Sequence, residues 1–128
     1  MSYTLSRKVE SSFEEAIETV KSLLADEGFG VLSDIDVRAT LKKKINVDFR
    51  NYRILGACNP TFAHQALQTE AQVGVMLPCN VIVQEYDTGI VEVSAVDPVA
   101  SMQGIDNPAL APIAEQVRSG LDRVIQKL

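Results

Sequence analysis

The feature that most restricts the fold of this chain is a pair of apolar segments joined by only three residues. Residues 79–86 and 90–96 are rich in valine and isoleucine, and Asp87, Thr88 and Gly89 connect them. So short a connection permits only an antiparallel hairpin, with the glycine supplying the left-handed residue of the loop. Both faces of the hairpin carry apolar residues, so helices covering one face would leave apolar surface on the other. This excess predicts a homodimer formed through the sheet.

Three helices are indicated by their start signals. Ser12 and Glu15 have the spacing of a capping box, and apolar residues then recur at three- and four-residue steps as far as Gly28, which suits the left-handed helix terminator. A short second helix is expected after Asp36, since aspartate caps helices well. A third is expected after Asn59-Pro60, because proline is favoured at the first helical position.

The remaining pattern sets the fold class. Pro112 does not fit a helix interior, so the last helix is expected to begin near residue 111 and to run to the C-terminus. Strands are expected at 3–9, 29–35 and 52–58 and in the apolar stretch 73–77, in addition to the hairpin. The resulting order, β-α-β-α-β-α-β-β-β-α, predicts one α+β domain over residues 1–128, with helices packed on a mixed β-sheet.

Charge and hydropathy exclude several classes of protein. The 128 residues carry a formal net charge of −5, with a pI near 4.8, which argues against nucleic acid as a partner. No apolar run approaches the ~20 residues of a membrane helix, so no membrane association is expected. The first residues lack the apolar core of a signal peptide, and the cytoplasm is therefore the expected location. Thiols are usually reduced there.

The two cysteines are the principal candidates for chemistry. Cys58 ends a predicted strand directly before the Asn59-Pro60 helix start, where free amides and the helix dipole favour a thiolate. Cys79 begins a strand after proline and has no helix start beside it. The alternative for both is a buried structural cysteine, since free cysteine is among the most buried residue types. Their spacing is not that of a Cys-X-X-Cys motif.

A metal site would need further ligands. His64 belongs to the helix that follows Cys58, so two cysteines and one histidine could supply three ligands and an acidic residue the fourth. His64 is predicted to face away from the apolar stripe of that helix, however, which favours an ordinary surface histidine. Asp34 and Asp36 stand two apart on a strand and share a face, as an acidic pair for proton transfer would. The simpler interpretation makes Asp36 a helix cap and Asp34 a solvated strand end.

Taken together, these segments resemble a known family. The specific parts are ILGACNP at residues 54–60 and LPCNV at 77–81, supported by Gly28–Leu32, Asp34–Val37, Thr40–Lys44 and Val47–Phe49. The sequence resembles the DUF302 family, also called TT1751-like, over nearly the whole chain. The resemblance implies an α+β fold that tends to dimerise, and it brings no established reaction. From this resemblance we would expect glutamate in many relatives at the position of Asp34, and glycine commonly at the position of Asn46.

Three functions fit the sequence. The first is a module that binds a small molecule or a metal, with candidate ligand-binding residues Cys58, Asn59, Cys79, Asn80, Asp34 and Asp36. The second is a thiol-dependent redox or catalytic protein that uses Cys58, and the third is a scaffold whose dimer surface is its function. No phosphate loop, serine elbow or zinc-protease helix occurs, so the sequence specifies no catalytic residue, cofactor or metal.

Overall fold

The computed structural model describes residues 2–128 and has the predicted α+β fold. Its elements in chain order are β1 (Thr4–Val9), α1 (Phe13–Asp26), β2 (Gly30–Asp36), α2 (Val37–Ile45), β3 (Tyr52–Cys58), α3 (Pro60–Thr69), a 3-10 turn (Val73–Met76), β4 (Cys79–Glu85), β5 (Val91–Val96), α4 (Pro98–Ser101), a second 3-10 turn (Pro108–Leu110) and α5 (Ala111–Gln126). Among residues 2–128, no helix combines the length and apolar character required to cross a membrane.

The five strands form one sheet in the order β1-β5-β4-β3-β2, and the central hairpin is confirmed. Gly89 has a φ of +86°, and its amide donates to the Tyr86 carbonyl oxygen at 2.8 Å. All four pairings are antiparallel, so the expected mixed sheet is wrong in this respect. The N-terminal strand lies beside β5 in the antiparallel sense, a long-range pairing that local sequence patterns do not encode.

The order of helices and strands is otherwise confirmed, except that the stretch 73–77 is not a strand. Residues Val73–Met76 form a 3-10 turn in which Val73 is buried and Val75 is 86% exposed. A short apolar run cannot be assigned to strand or helix from periodicity alone. Here the chain must turn between α3 and β4, and the 3-10 geometry provides that turn.

One face of the sheet is covered by α1 and α5, which build the core. Ser12 caps α1 as predicted, its hydroxyl oxygen accepting from the Glu15 amide at 3.2 Å. Side chains alternate along each strand, so one set points into the helices and the other points away. The inward set is fully buried together with the apolar stripes of the two helices, and the largest members are Val20, Leu24, Leu55, Val81, Val83, Val93, Leu121 and Val124.

Gly120 allows α5 to pack closely on the sheet side of the core. A β-carbon at this position would lie 2.9 Å from Cε2 of the buried Phe29 ring, closer than side-chain carbons normally approach. The helix therefore lies directly against the Phe29 ring. Glycine destabilises a helix interior by about 1 kcal/mol relative to alanine, and this contact offsets that cost.

The opposite side of the sheet, called here the open face, is not covered by α1 or α5. Ile35, Ile54 and Ile82 stand directly opposite one another on β2, β3 and β4. The same row continues as Ser94 on β5 and Ser6 on β1, whose hydroxyls are hydrogen-bonded at 2.8 Å. The open face is thus apolar towards β2 and polar towards β1.

The sheet has two edge strands, β1 and β2. Pairing of β2 with β3 is interrupted by a bulge: Val31 pairs with Ala57 and Ser33 with Gly56, which leaves Leu32 without a partner. Leu32 is 71% exposed as a result. After the bulge, β2 continues with two acidic residues, Asp34 and Asp36.

Candidate functional site

The two cysteines come together at one end of the β3–β4 pair. Cys79 is the register partner of Ala57, so Cys58 lies one residue further along the neighbouring strand. Both thiols are free, and both line the same cavity, of about 30 Å³. We call it the thiol cavity. Asn59 also lines it, and the rest of its wall is largely apolar, with Phe29, Phe62, Ala66, Met102, Ile113 and Ala114.

The start of α3 forms one side of the thiol cavity. Asn59 caps this helix as predicted, its side-chain oxygen accepting a long hydrogen bond of 3.4 Å from the Phe62 amide, and Pro60 occupies the first turn. Cys58 therefore sits immediately before the N-terminus of a ten-residue helix. The positive end of the helix dipole favours negative charge at this position.

The two thiols differ in their access to solvent. Cys79 is only 7% exposed, and burial, followed by the proximity of Cys58, raises the pKa of its thiol to about 11. Cys79 is thus a neutral thiol near pH 7. Cys58 is half-buried at the end of its strand, and it is the more accessible of the two. An external reagent would meet Cys58 first.

Three of the six candidate residues lie away from the thiol cavity. Asn80 follows Cys79 on β4 but projects to the open face, opposite Gly56. Asp36 caps α2, its Oδ1 accepting from the Ala39 amide at 3.0 Å. Both positions follow from simple rules, since neighbours on a strand face opposite ways and aspartate favours helix starts.

Asp34 is held in an ion-pair cluster. Its two oxygens accept from Nε and Nη2 of Arg53 at 2.7 and 2.6 Å, and Lys21 lies 3.3 Å from Oδ2. The hydrogen bonds from Arg53 hold the pKa of the Asp34 carboxyl below its usual value. Asp34 is therefore a charged partner within the fold at any pH near neutrality.

The sequence predicted neither a complete metal cluster nor the full set of cavity residues. Within residues 2–128, no group of three or more His, Cys, Asp or Glu side chains could hold a metal ion. His64 lies exposed on α3 and does not line the thiol cavity. Met102 does line it, and it comes from the segment between β5 and α5. No sequence signal placed Met102 beside the cysteines.

Comparison with known proteins finds a matching family and similar solved structures. A family model described as "Domain of unknown function DUF302" matches residues 5–128. A solved structure, "Crystal structure of uncharacterized conserved protein DUF302 from Bacillus stearothermophilus", is similar with a TM-score of 0.92 and 29% sequence identity. The similarity covers 99% of this chain and 98% of that chain. A search of curated proteins found no match.

Proposed function

The chain belongs to the DUF302 family, and from that premise we propose that it is a binding module whose site is the thiol cavity. One observation carries the proposal: Cys58 and Cys79, which stand on different strands, line the same cavity together with Asn59. Cys79 also belongs to the apolar core, whereas Cys58 is half-buried. Two free thiols at one cavity suit a ligand that bonds to sulfur.

The size of the cavity restricts the ligand. Organic ligands generally occupy pockets of roughly 300–1,000 Å³, whereas a single water needs about 10–15 Å³ of comparable space. At about 30 Å³, the thiol cavity accommodates an ion or a group of very few atoms. The ligand is therefore a small species held by the thiols, and larger metabolites are excluded unless the walls move.

Native mass spectrometry tests this proposal directly. We expect the full chain, purified under reducing and non-denaturing conditions, to carry an adduct of small mass. The adduct should be present either in the protein as purified or after metal ions are added. The adduct should be lost from Cys58→Ala and Cys79→Ala, because each removes one sulfur from the cavity. His64→Ala is the matched control, since His64 is exposed and outside the cavity wall. A bare mass under all these conditions would contradict the proposal.

A thiol–disulfide reaction is the second candidate, and the unequal burial of the two cysteines favours it. In this reaction Cys58 attacks a low-molecular-weight disulfide, forms a mixed disulfide and releases one thiol. Cys79 then attacks the sulfur of Cys58 and releases the second thiol, which leaves a Cys58–Cys79 disulfide. The small disulfide is reduced by two electrons, and the protein dithiol is oxidised by two. The accessible thiol would act first and the buried thiol second.

Alkylation separates this reaction from a purely structural role. We expect iodoacetamide to modify Cys58 in the folded protein before it modifies Cys79, because Cys58 is the more accessible thiol. Cys79 should react only slowly, and faster as the pH rises towards about 11, because its pKa is raised and only the thiolate is nucleophilic. Peptide mass spectrometry measures both rates. If Cys58 reacts only in denaturant, its sulfur is core filling and the reaction is excluded.

We also propose that the protein forms a homodimer through the open face. The support is the row of Ile35, Ile54 and Ile82 on the side of the sheet opposite α1 and α5, in which Ile35 is 46% exposed. The native mass spectra described above report the assembly as well. A dimer that Ile35→Lys converts to monomer would support this arrangement, and a monomeric wild-type protein would contradict it.

A further inference from the structure

Three sulfur-containing residues line the thiol cavity. The chain has two cysteines and three methionines. Both cysteines and one methionine, Met102, belong to the wall of this single cavity. They come from three separate parts of the chain, namely the end of β3, the start of β4 and the residue that follows α4. The three residues are far apart in the sequence, and the fold brings them to one cavity. Their sulfur atoms are soft donors.

The donor set decides which ion fits. Thiolate and thioether sulfurs are soft ligands that select Cu(I), whereas Mg²⁺ and Ca²⁺ prefer oxygen. Zinc sites usually require four ligands drawn from cysteine, histidine and acidic residues. The described residues, 2–128, contain no group of even three such side chains placed to hold a metal. Cu(I) accepts low coordination numbers, so two thiolates and a thioether suffice.

Charge and volume favour the same ion. An apolar wall penalises two bare thiolates, and a bound cation offsets part of their charge. The N-terminus of α3, directly after Cys58, contributes positive potential on the same side. The cavity of about 30 Å³ has room for a single ion.

We propose that Cys58, Cys79 and Met102 bind one Cu(I) ion in the thiol cavity. This inference rests on the proposed binding function and names its ligand. On binding, the copper–sulfur bonds form as the two thiols release their protons to solvent, and the oxidation state of copper does not change. Cys58, the more accessible cysteine, is the ligand that an entering ion meets first.

The test is an anaerobic titration of the reduced full chain with Cu(I), using bicinchoninate as the competing chelator. We expect one Cu(I) per chain and, by X-ray absorption, only sulfur neighbours around copper. Met102→Leu keeps the apolar wall but removes the thioether, and it should weaken binding roughly tenfold, or about 1.4 kcal/mol. Met76→Leu is the matched control, because Met76 does not line the thiol cavity, and it should leave the affinity unchanged.

The cysteine variants complete the test. Cys58→Ala and Cys79→Ala should each weaken binding roughly 100-fold, or about 2.8 kcal/mol. Nitrogen or oxygen neighbours around copper, or equal affinities for Met102→Leu and Met76→Leu, would overturn the inference. Circular dichroism shows whether each cysteine variant folds. If one does not, the comparison of Met102→Leu with Met76→Leu still tests the inference.

The results also separate this inference from the proposed function. If the protein binds no Cu(I) but carries another adduct that both cysteine variants lose, the copper assignment fails and the binding function stands. If it binds neither copper nor any other small species, both fail.

Discussion

Replacing Leu55 by alanine should lower the free energy of unfolding by about 2–5 kcal/mol, the range found when a buried leucine is truncated. Leu55 is 0% exposed and lies in the centre of β3, beneath α1 and α5. Truncation removes its apolar contacts and leaves a cavity that the rigid sheet cannot close. Since small domains have a total stability of about 5–15 kcal/mol, the loss is a large part of the whole. Urea denaturation followed by circular dichroism measures it.

Ile54→Ala is the matched control for Leu55→Ala. Ile54 is the adjacent residue on β3, but it points to the open face and is only half-buried. In the monomer, Ile54→Ala should therefore lower the free energy of unfolding clearly less than Leu55→Ala does. Equal losses from the two variants in the monomer would mean that the open face is packed as tightly as the core, and the assignment of the two faces would be wrong.

Replacing Gly56 by valine should cost about 3 kcal/mol, at the upper end of the usual range for overpacking. A β-carbon at residue 56 would overlap the Ser33 hydroxyl oxygen and would lie 2.8 Å from Cγ of Pro78. The serine hydroxyl can rotate away, but the proline ring is rigid and has little freedom to move. The strain falls at Pro78, the residue that directly precedes Cys79 and the start of β4.

Gly30→Ala provides the comparison for Gly56→Val. Gly30 lies on β2 opposite Cys58, and a β-carbon there meets no atom within 4 Å. Alanine at this position should be neutral or should stabilise the fold by roughly 0.5–1 kcal/mol, since glycine is unfavourable in strands. Thermal unfolding of both variants checks the prediction. A Gly56→Val protein as stable as wild type would show that the Pro78 contact is readily relieved.

The parts of the fold that the sequence predicted are those set by neighbouring residues. The capping box at Ser12, the hairpin loop at Gly89 and the start of α5 at Ala111 depend on backbone geometry over a few positions. The antiparallel placement of β1 beside β5 does not, because it joins residues about ninety positions apart. Only the packing of the whole chain decides such a pairing.

The candidate site was predicted only in part, because local patterns identify some of its residues and long-range packing brings in the others. Cys58 and Cys79 were named from the sequence, and the capping role of Asn59 follows from its place before Pro60. The similar Cys79-Asn80 pair suggested that Asn80 belongs to the same site. Alternation along β4 sends its side chain to the opposite face, a rule that the sequence alone could have supplied. Met102 and Phe29 reach the cavity only through long-range packing.

The bulge in β2 affects how copies of this protein can meet. A regular edge strand offers unpaired backbone groups to any other chain and invites fibrous aggregation. At the β2 edge, the unpaired Leu32 disrupts that ladder, and the acidic Asp34 and Asp36 follow it. At the β1 edge, Arg7 and Lys8 place positive charge along the rim. The interrupted ladder of β2 thus disfavours growth of the sheet by strand addition at that edge.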